Sequence, residues 1–162
     1  MPIITSEIVY RLSGGAANAS ALASIGGAKS ANVVPAGLFD DVTSAESSAS
    51  DIEYRCFYVH NANATLAMQN AVVYIQANTT GNRIAIGVGT SAVNATETAV
   101  ADENTAPAGV TFSQPATKGA GLALGNIPAG QHRAVWVRRT IGAATPASND
   151  TYTLRVECDT AA

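Results

Sequence analysis

Between Glu53 and Thr160 apolar and polar residues alternate in short runs, separated by Gly, Pro, Asn and Asp. Successive side chains of an extended strand point to opposite sides, so a period of two marks strands that lay one face on a core. The clearest runs are Tyr54–His60, Ala71–Gln76, Arg83–Val88, Val110–Ser113, Gln131–Ile141 and Thr151–Glu157. Glu7–Leu12 precedes them, a strand through Leu66 and Met68 leads into Ala71–Gln76, and Leu122–Leu124 is shorter. Turn-forming stretches separate these runs, notably Asn61-Ala-Asn63-Ala, Asn78-Thr-Thr-Gly81-Asn82 and Asn126-Ile-Pro-Ala-Gly130. About eight strands with no helix-sized segment between them predict an all-β fold, an antiparallel β-sandwich of jelly-roll or immunoglobulin-like type.

Two of the strands carry apolar residues on both faces. In Tyr54–His60 one face is Tyr54, Cys56, Tyr58 and His60, and the other is Arg55, Phe57 and Val59. In Gln131–Ile141 the faces are His132, Ala134, Trp136 and Arg138 against Arg133, Val135, Val137 and Arg139. Double-sided apolarity in Tyr54–His60 predicts a central strand rather than an edge. Residues 1–50 divide from this body at residues 51–162. After the first strand, Ser13–Ser50 is dominated by Gly, Ala and Ser, with apolar islands at Val33–Val34 and Leu38–Phe39. Segments of this length without periodicity are long loops or extended arms, and the expectation favours an arm that orders on a partner. Thr43–Ser50 suits a single helical turn.

Charge narrows the partners. Charged residues are 13% of the chain and the net charge is −3, against ~25% charged in an average domain. Nucleic-acid binding needs a run or face of cations, and none is present, so no nucleic acid is expected. Seven of the nine basic residues are Arg, which surrenders hydration more readily than Lys and suits buried contacts. No apolar run approaches the ~20 residues of a membrane span, and Met1–Leu12 has no signal-peptide pattern. The expectation is a protein made in a cytoplasm, where Cys56 and Cys158 are thiols unless their strands are neighbours.

Catalytic chemistry finds few carriers. His60 and His132 lie on strands beside aromatic or small residues, as structural hydrogen-bonding histidines do. Cys56 and His60, four residues apart on a strand, are ~13 Å apart, too far for a nucleophile and its base. The acidic pairs Asp40–Asp41 and Asp102–Glu103 lack the spacing of a calcium loop, and Gly119-Ala-Gly121 lacks the Lys of a phosphate loop. No enzyme, no cofactor and no metal is expected. The residues best suited to an interface are Leu38, Phe39, Trp136, Arg138 and Arg139, because apolar anchors, Trp and Arg concentrate binding energy. Trp136 suits a core plug as well.

Six segments carry a resemblance: Leu38-Phe-Asp-Asp-Val, Glu53-Tyr-Arg-Cys56, Tyr58-Val-His-Asn61, Asn104-Thr-Ala-Pro-Ala-Gly-Val-Thr-Phe112, Ile127-Pro-Ala-Gly-Gln131 and Ala134-Val-Trp-Val-Arg138. In pattern and composition they resemble small virion proteins of tailed bacteriophages, some of which are head decoration (cement) proteins. The resemblance implies a β-sandwich or jelly roll on the outside of a capsid, with the major capsid protein and sister copies as partners. It implies synthesis in the host bacterial cytoplasm and residence on the virion, and it transfers no functional residue. Other virion parts, such as tail-tube or fibre modules, share these features. A carbohydrate-binding sandwich fits less well, with 6% aromatic residues and one Trp. A glycosidase-like jelly roll needs two carboxylates ~5–9 Å apart across a cleft.

Overall fold

The two strands with double-sided apolarity organise the molecule. In the computed structural model, which describes residues 2–142 and 150–160, β2 (Ile52–Asn61) and β6 (His132–Thr140) pair antiparallel over nine residues, from Ile52↔Thr140 to His60↔His132. Around them lie β1 (Ile8–Leu12), β3 (Met68–Asn78), β4 (Ile84–Val88), β5 (Leu122–Ile127) and β7 (Tyr152–Thr160). These form two antiparallel sheets, β1-β2-β6-β4 and β5-β3-β7, stacked as a sandwich. As expected, β2 is an inner strand, and so is β6.

The period of two fixes what each face meets. Phe57 and Val59 of β2, Val135 and Val137 of β6, and Ile84 and Ile86 of β4 face the second sheet. They pack on Met68, Val73 and Ile75 of β3, Leu124 and Ile127 of β5, and Val156 of β7. The opposite face of the first sheet is buried too. Tyr54, Cys56, Tyr58, Ala134 and Trp136 form a second core, covered by Val100, Val110 and Phe112. That cover is made of loops, which sets this sandwich apart from one whose outer faces meet water.

Residues 13–50 supply part of the cladding. Rather than an extended arm, they form a loop folded over their own sheet, held by hydrogen bonds to the half of β2 that β1 does not reach. The Cys56 N–H donates to the Ser24 carbonyl at 2.7 Å, and the Ser13 hydroxyl donates to the Cys56 carbonyl at 2.9 Å. Ser13, Ser24 and Ser30 are fully buried, so small hydroxyl residues satisfy buried backbone where a strand would otherwise lie. Gly26 is needed here: its φ is +96°, and a Cβ would meet the Thr98 carbonyl oxygen at 2.4 Å. The expected helical turn is α1 (Ser44–Ala49). Thr43 and Glu46 form its capping box, and Ser50 ends it at φ 57°.

The described residues contain seven strands. Val110–Ser113 is not one of them. Only Ser113 bridges to β4, opposite Ile86, while Val110 and Phe112 lie on the second core. Their alternation is that of a strand, but Gly109 at φ 75° and Pro115 break the extended run and turn the apolar pair inward. Asn126 and Ile127, expected in a turn, extend β5, and the turn tightens to Pro128–Gln131, whose ends join through the Gln131 N–H and the Pro128 carbonyl at 3.0 Å. The Met68 and Ala71–Gln76 runs are one strand, β3, with an irregular register around Gln69 and Asn70. Both cysteines are free. No helix among the described residues is long and apolar enough to cross a membrane.

Candidate functional site

The inner faces of β2 and β6 change character at one end of the sandwich. Beyond Phe57 and Val137 the next residues on that face are Arg55, Glu53 and Arg139, and Glu53 and Arg139 are direct cross-strand partners. Two loops reach this end. Residues 38–41 bring Leu38, Phe39 and Asp40. The loop containing Glu103 lies along β2, with the Tyr54 N–H donating to the Glu103 carbonyl at 2.7 Å.

Arg139 gathers most of the contacts. Its Nε donates to Glu53 Oε2 at 2.5 Å, Nη1 to the Asp40 carbonyl at 2.6 Å, and Nη2 to Asp40 Oδ1 at 3.3 Å. Arg55, with a side chain only 1% exposed, pairs with the Glu103 carboxylate. The Phe39 ring lies 4.7 Å from the Arg139 guanidinium carbon and 5.6 Å from that of Arg55, close enough for cation–π attraction. Acids from the Asp40–Asp41 and Asp102–Glu103 pairs thus converge on Glu53, with carboxylate oxygens within 4.8 Å of one another. Each of these three carboxylates faces a guanidinium, which is the chemistry of an ion-pair clasp tying two loops to the sheet.

The five residues expected at an interface do not form one surface. Leu38 is buried in the inter-sheet core. Phe39 and Arg139 belong to the clasp. Trp136 is fully buried on the opposite face of β6. Arg138 is on that face as well, with its guanidinium carbon 5.5 Å from the Phe112 centroid. Half-buried Phe39, Arg138 and Arg139 retain some exposure, whereas Leu38 and Trp136 have almost none.

Sequence reasoning missed Glu97, the hub of the loop layer. It is 2% exposed. Its carboxylate accepts from the Ser91 N–H at 2.9 Å, the Thr90 N–H at 3.1 Å and Trp136 Nε1 at 3.2 Å. Its own N–H donates to the Tyr58 hydroxyl at 2.8 Å, which donates to the Gly27 carbonyl at 2.6 Å. Burial pushes the carboxyl up, but the bonds from Ser91, Trp136 and Thr90 outweigh it and hold Glu97 below its ordinary value. Side chain and backbone together, one residue thereby joins Gly27, Tyr58, Thr90, Ser91 and Trp136. Neither periodicity nor a motif marks it.

The histidines meet across the β2–β6 ladder at His60↔His132. The His132 ring stands edge-on to Tyr58 at 4.7 Å, and the His60 Nε2 lies 3.2 Å from the Gly130 carbonyl. Burial, with Lys29 and His60 nearby, lowers His132 to about 4. His60 is also lowered, chiefly by burial and then by Lys29. Both shifts favour the neutral imidazole, which suits the packed end of a ladder. No protein-family model, curated protein or solved structure matches this chain.

Proposed function

We propose that this chain is a non-enzymatic structural protein of a bacteriophage particle, seated on the outside of the capsid and strengthening contacts between capsomers. The observation that carries the reading is the cladding of the first sheet. Two long polar loops are folded down and pinned by buried Ser13, Ser24, Glu97 and Arg55. A surface preformed in this way has little conformational entropy to lose on docking. Its low charge lessens the desolvation cost of covering it with another protein. Val42 and Ile52, 46% and 39% exposed, flank the clasp residues Asp40 and Glu53 in sequence. Apolar side chains beside a charged rim are a common anatomy for a contact patch.

The test compares complete particles with particles lacking this protein under heat and osmotic shock. The expected result is earlier rupture of the deficient particles, and equal resistance would overturn the clamping role. Imaging particles that carry a labelled copy separates a capsid position from a tail or fibre position.

A further inference from the structure

The edges of the first sheet are covered within the chain. Residues 30–34 hydrogen-bond along β1, and Ser113 bridges β4. β7 differs: it pairs with β3 on one side, and no strand among the described residues pairs with its other side. At nine residues it is a long edge, the kind that recruits another strand unless something prevents it. Hydrogen bonding shows which groups face the opening. The Thr151 carbonyl accepts from the Thr79 N–H on the β3 side. The alternation along β7 then turns the N–H and C=O groups of Leu154, Val156 and Cys158 outward. Tyr10 and Val156 line the same groove beside this edge.

We infer that β7 pairs antiparallel with β7 of a second copy of this chain about a two-fold axis through Val156, joining the two β5-β3-β7 sheets into one of six strands. Charge favours one register: Arg155 and Glu157 pair within the chain at 3.0 Å, and in a dimer each can pair across the interface as well. On the outer face β7 carries Thr153, Arg155, Glu157 and Asp159 in order. With Val156 opposite Val156, Arg155 of each copy lies across from Glu157 of the other, and Thr153 lies across from Asp159. Moving the axis to Arg155 or Glu157 sets that residue against its own copy. Moving it to Cys158 sets Glu157 against Asp159, and moving it to Leu154 leaves no charged pair. Only the Val156 axis gives two opposite-charge pairs and no like-charge pair. It also makes Val156 a hydrogen-bonded pair, as its outward backbone groups require.

The inner face fits the same arrangement. Beside β7 runs a groove of about 530 Å³ lined by Ile3, Ile8, Tyr10, Leu154 and Cys158 among others. In the paired state Leu154 and Cys158 of the second copy stand opposite Cys158 and Leu154 of the first. Their side chains point to the side on which this groove lies. The contact is isologous, so it closes as a dimer and does not propagate. The inference stands on β7 alone, so its failure would leave the particle reading intact.

Sedimentation velocity on the full chain across a concentration series, with its circular dichroism spectrum as a check of folding, tests the pairing. The wild type is expected to dimerise. R155E and E157R should each weaken the dimer by at least roughly tenfold, since both pairs become like-charged. An equimolar mixture of the two variants should recover the dimer. One chain then presents two carboxylates at these positions and the other two guanidiniums, so both cross-strand pairs are again of opposite charge. V156P, which deletes the central N–H from an edge strand that tolerates proline, should stay folded and lose the dimer. A monomeric wild type, charge variants that dimerise as well as the wild type, or folded variants whose mixture fails to recover the dimer would each overturn the proposal.

Discussion

Replacing Glu97 by Gln keeps the shape of the side chain and removes its charge. In the native protein the two carboxylate oxygens take three N–H donors, from Ser91, Thr90 and Trp136. A carboxamide offers one oxygen, so its NH₂ group must confront at least one of these donors in a site that is 2% exposed. An unsatisfied buried donor costs about 1–3 kcal/mol, and bonds to a charged acceptor are individually the stronger ones. The expected loss is therefore about 2–4 kcal/mol, a large share of a total stability of ~5–15 kcal/mol. Urea unfolding followed by Trp136 fluorescence reads this directly. With m near ~2 kcal/mol/M the midpoint should fall by about 1–2 M. Because the folded carboxyl titrates below its ordinary value, its stabilisation is complete above the unfolded pKa and is lost as pH falls through the folded one. The gap between wild type and Glu97→Gln should accordingly close in acid. A variant within ~0.5 kcal/mol of wild type at neutral pH, the usual range for a surface substitution, would refute the view that Glu97 holds the loop layer in place.

Other outcomes follow from the same structure. His132 is held neutral in the fold, with its pKa lowered from 6.5 to about 4, so stability is full above 6.5 and declines as pH falls toward 4. Thermal melts of His132→Phe should show a shallower decline over that interval. Arg139→Ala strands Glu53, which is 1% exposed, and should cost about 3–5 kcal/mol in denaturant melts. Asp40→Ala removes only a half-exposed partner of the same Arg and should change stability by less than ~1 kcal/mol. Gly26→Ala, with φ at +96° and the Thr98 carbonyl oxygen in the way, should cost more than about 1 kcal/mol. Gly15→Ala, at φ +113° with open space around it, should cost less than Gly26→Ala.

The sheets were legible because their faces are written in a two-residue code that local sequence carries. Tyr54–His60 shows its inner position through apolar residues on both sides, and the structure places it between β1 and β6. The loop layer was not legible, for a physical reason. Ser13, Ser24 and Ser30 are buried because they replace a neighbouring strand as hydrogen-bond partners, and no periodicity records that use. Val110 and Phe112 alternate like strand residues, yet only the presence of Tyr54 and Trp136 beneath them decides which way they turn. The clasp was half legible. Phe39 and Arg139 stood out by residue type. Their meeting with Glu53, Asp40, Arg55 and Glu103 depends on pairings separated by 48, 86 and 99 residues, which only the folded chain supplies.

The cladding of the first sheet also imposes an order on assembly. Residues 13–30 leave the ribosome early, but they are tied to Cys56 and Tyr58 of β2 and, through Glu97, to Trp136 of β6. Their seat is complete only when residues 132–140 have joined β2. The start of the chain must therefore wait, loosely held, for its last third. Contacts so distant in sequence make for slow folding, and the loop layer should be the last part of the molecule to acquire protection from amide exchange during refolding.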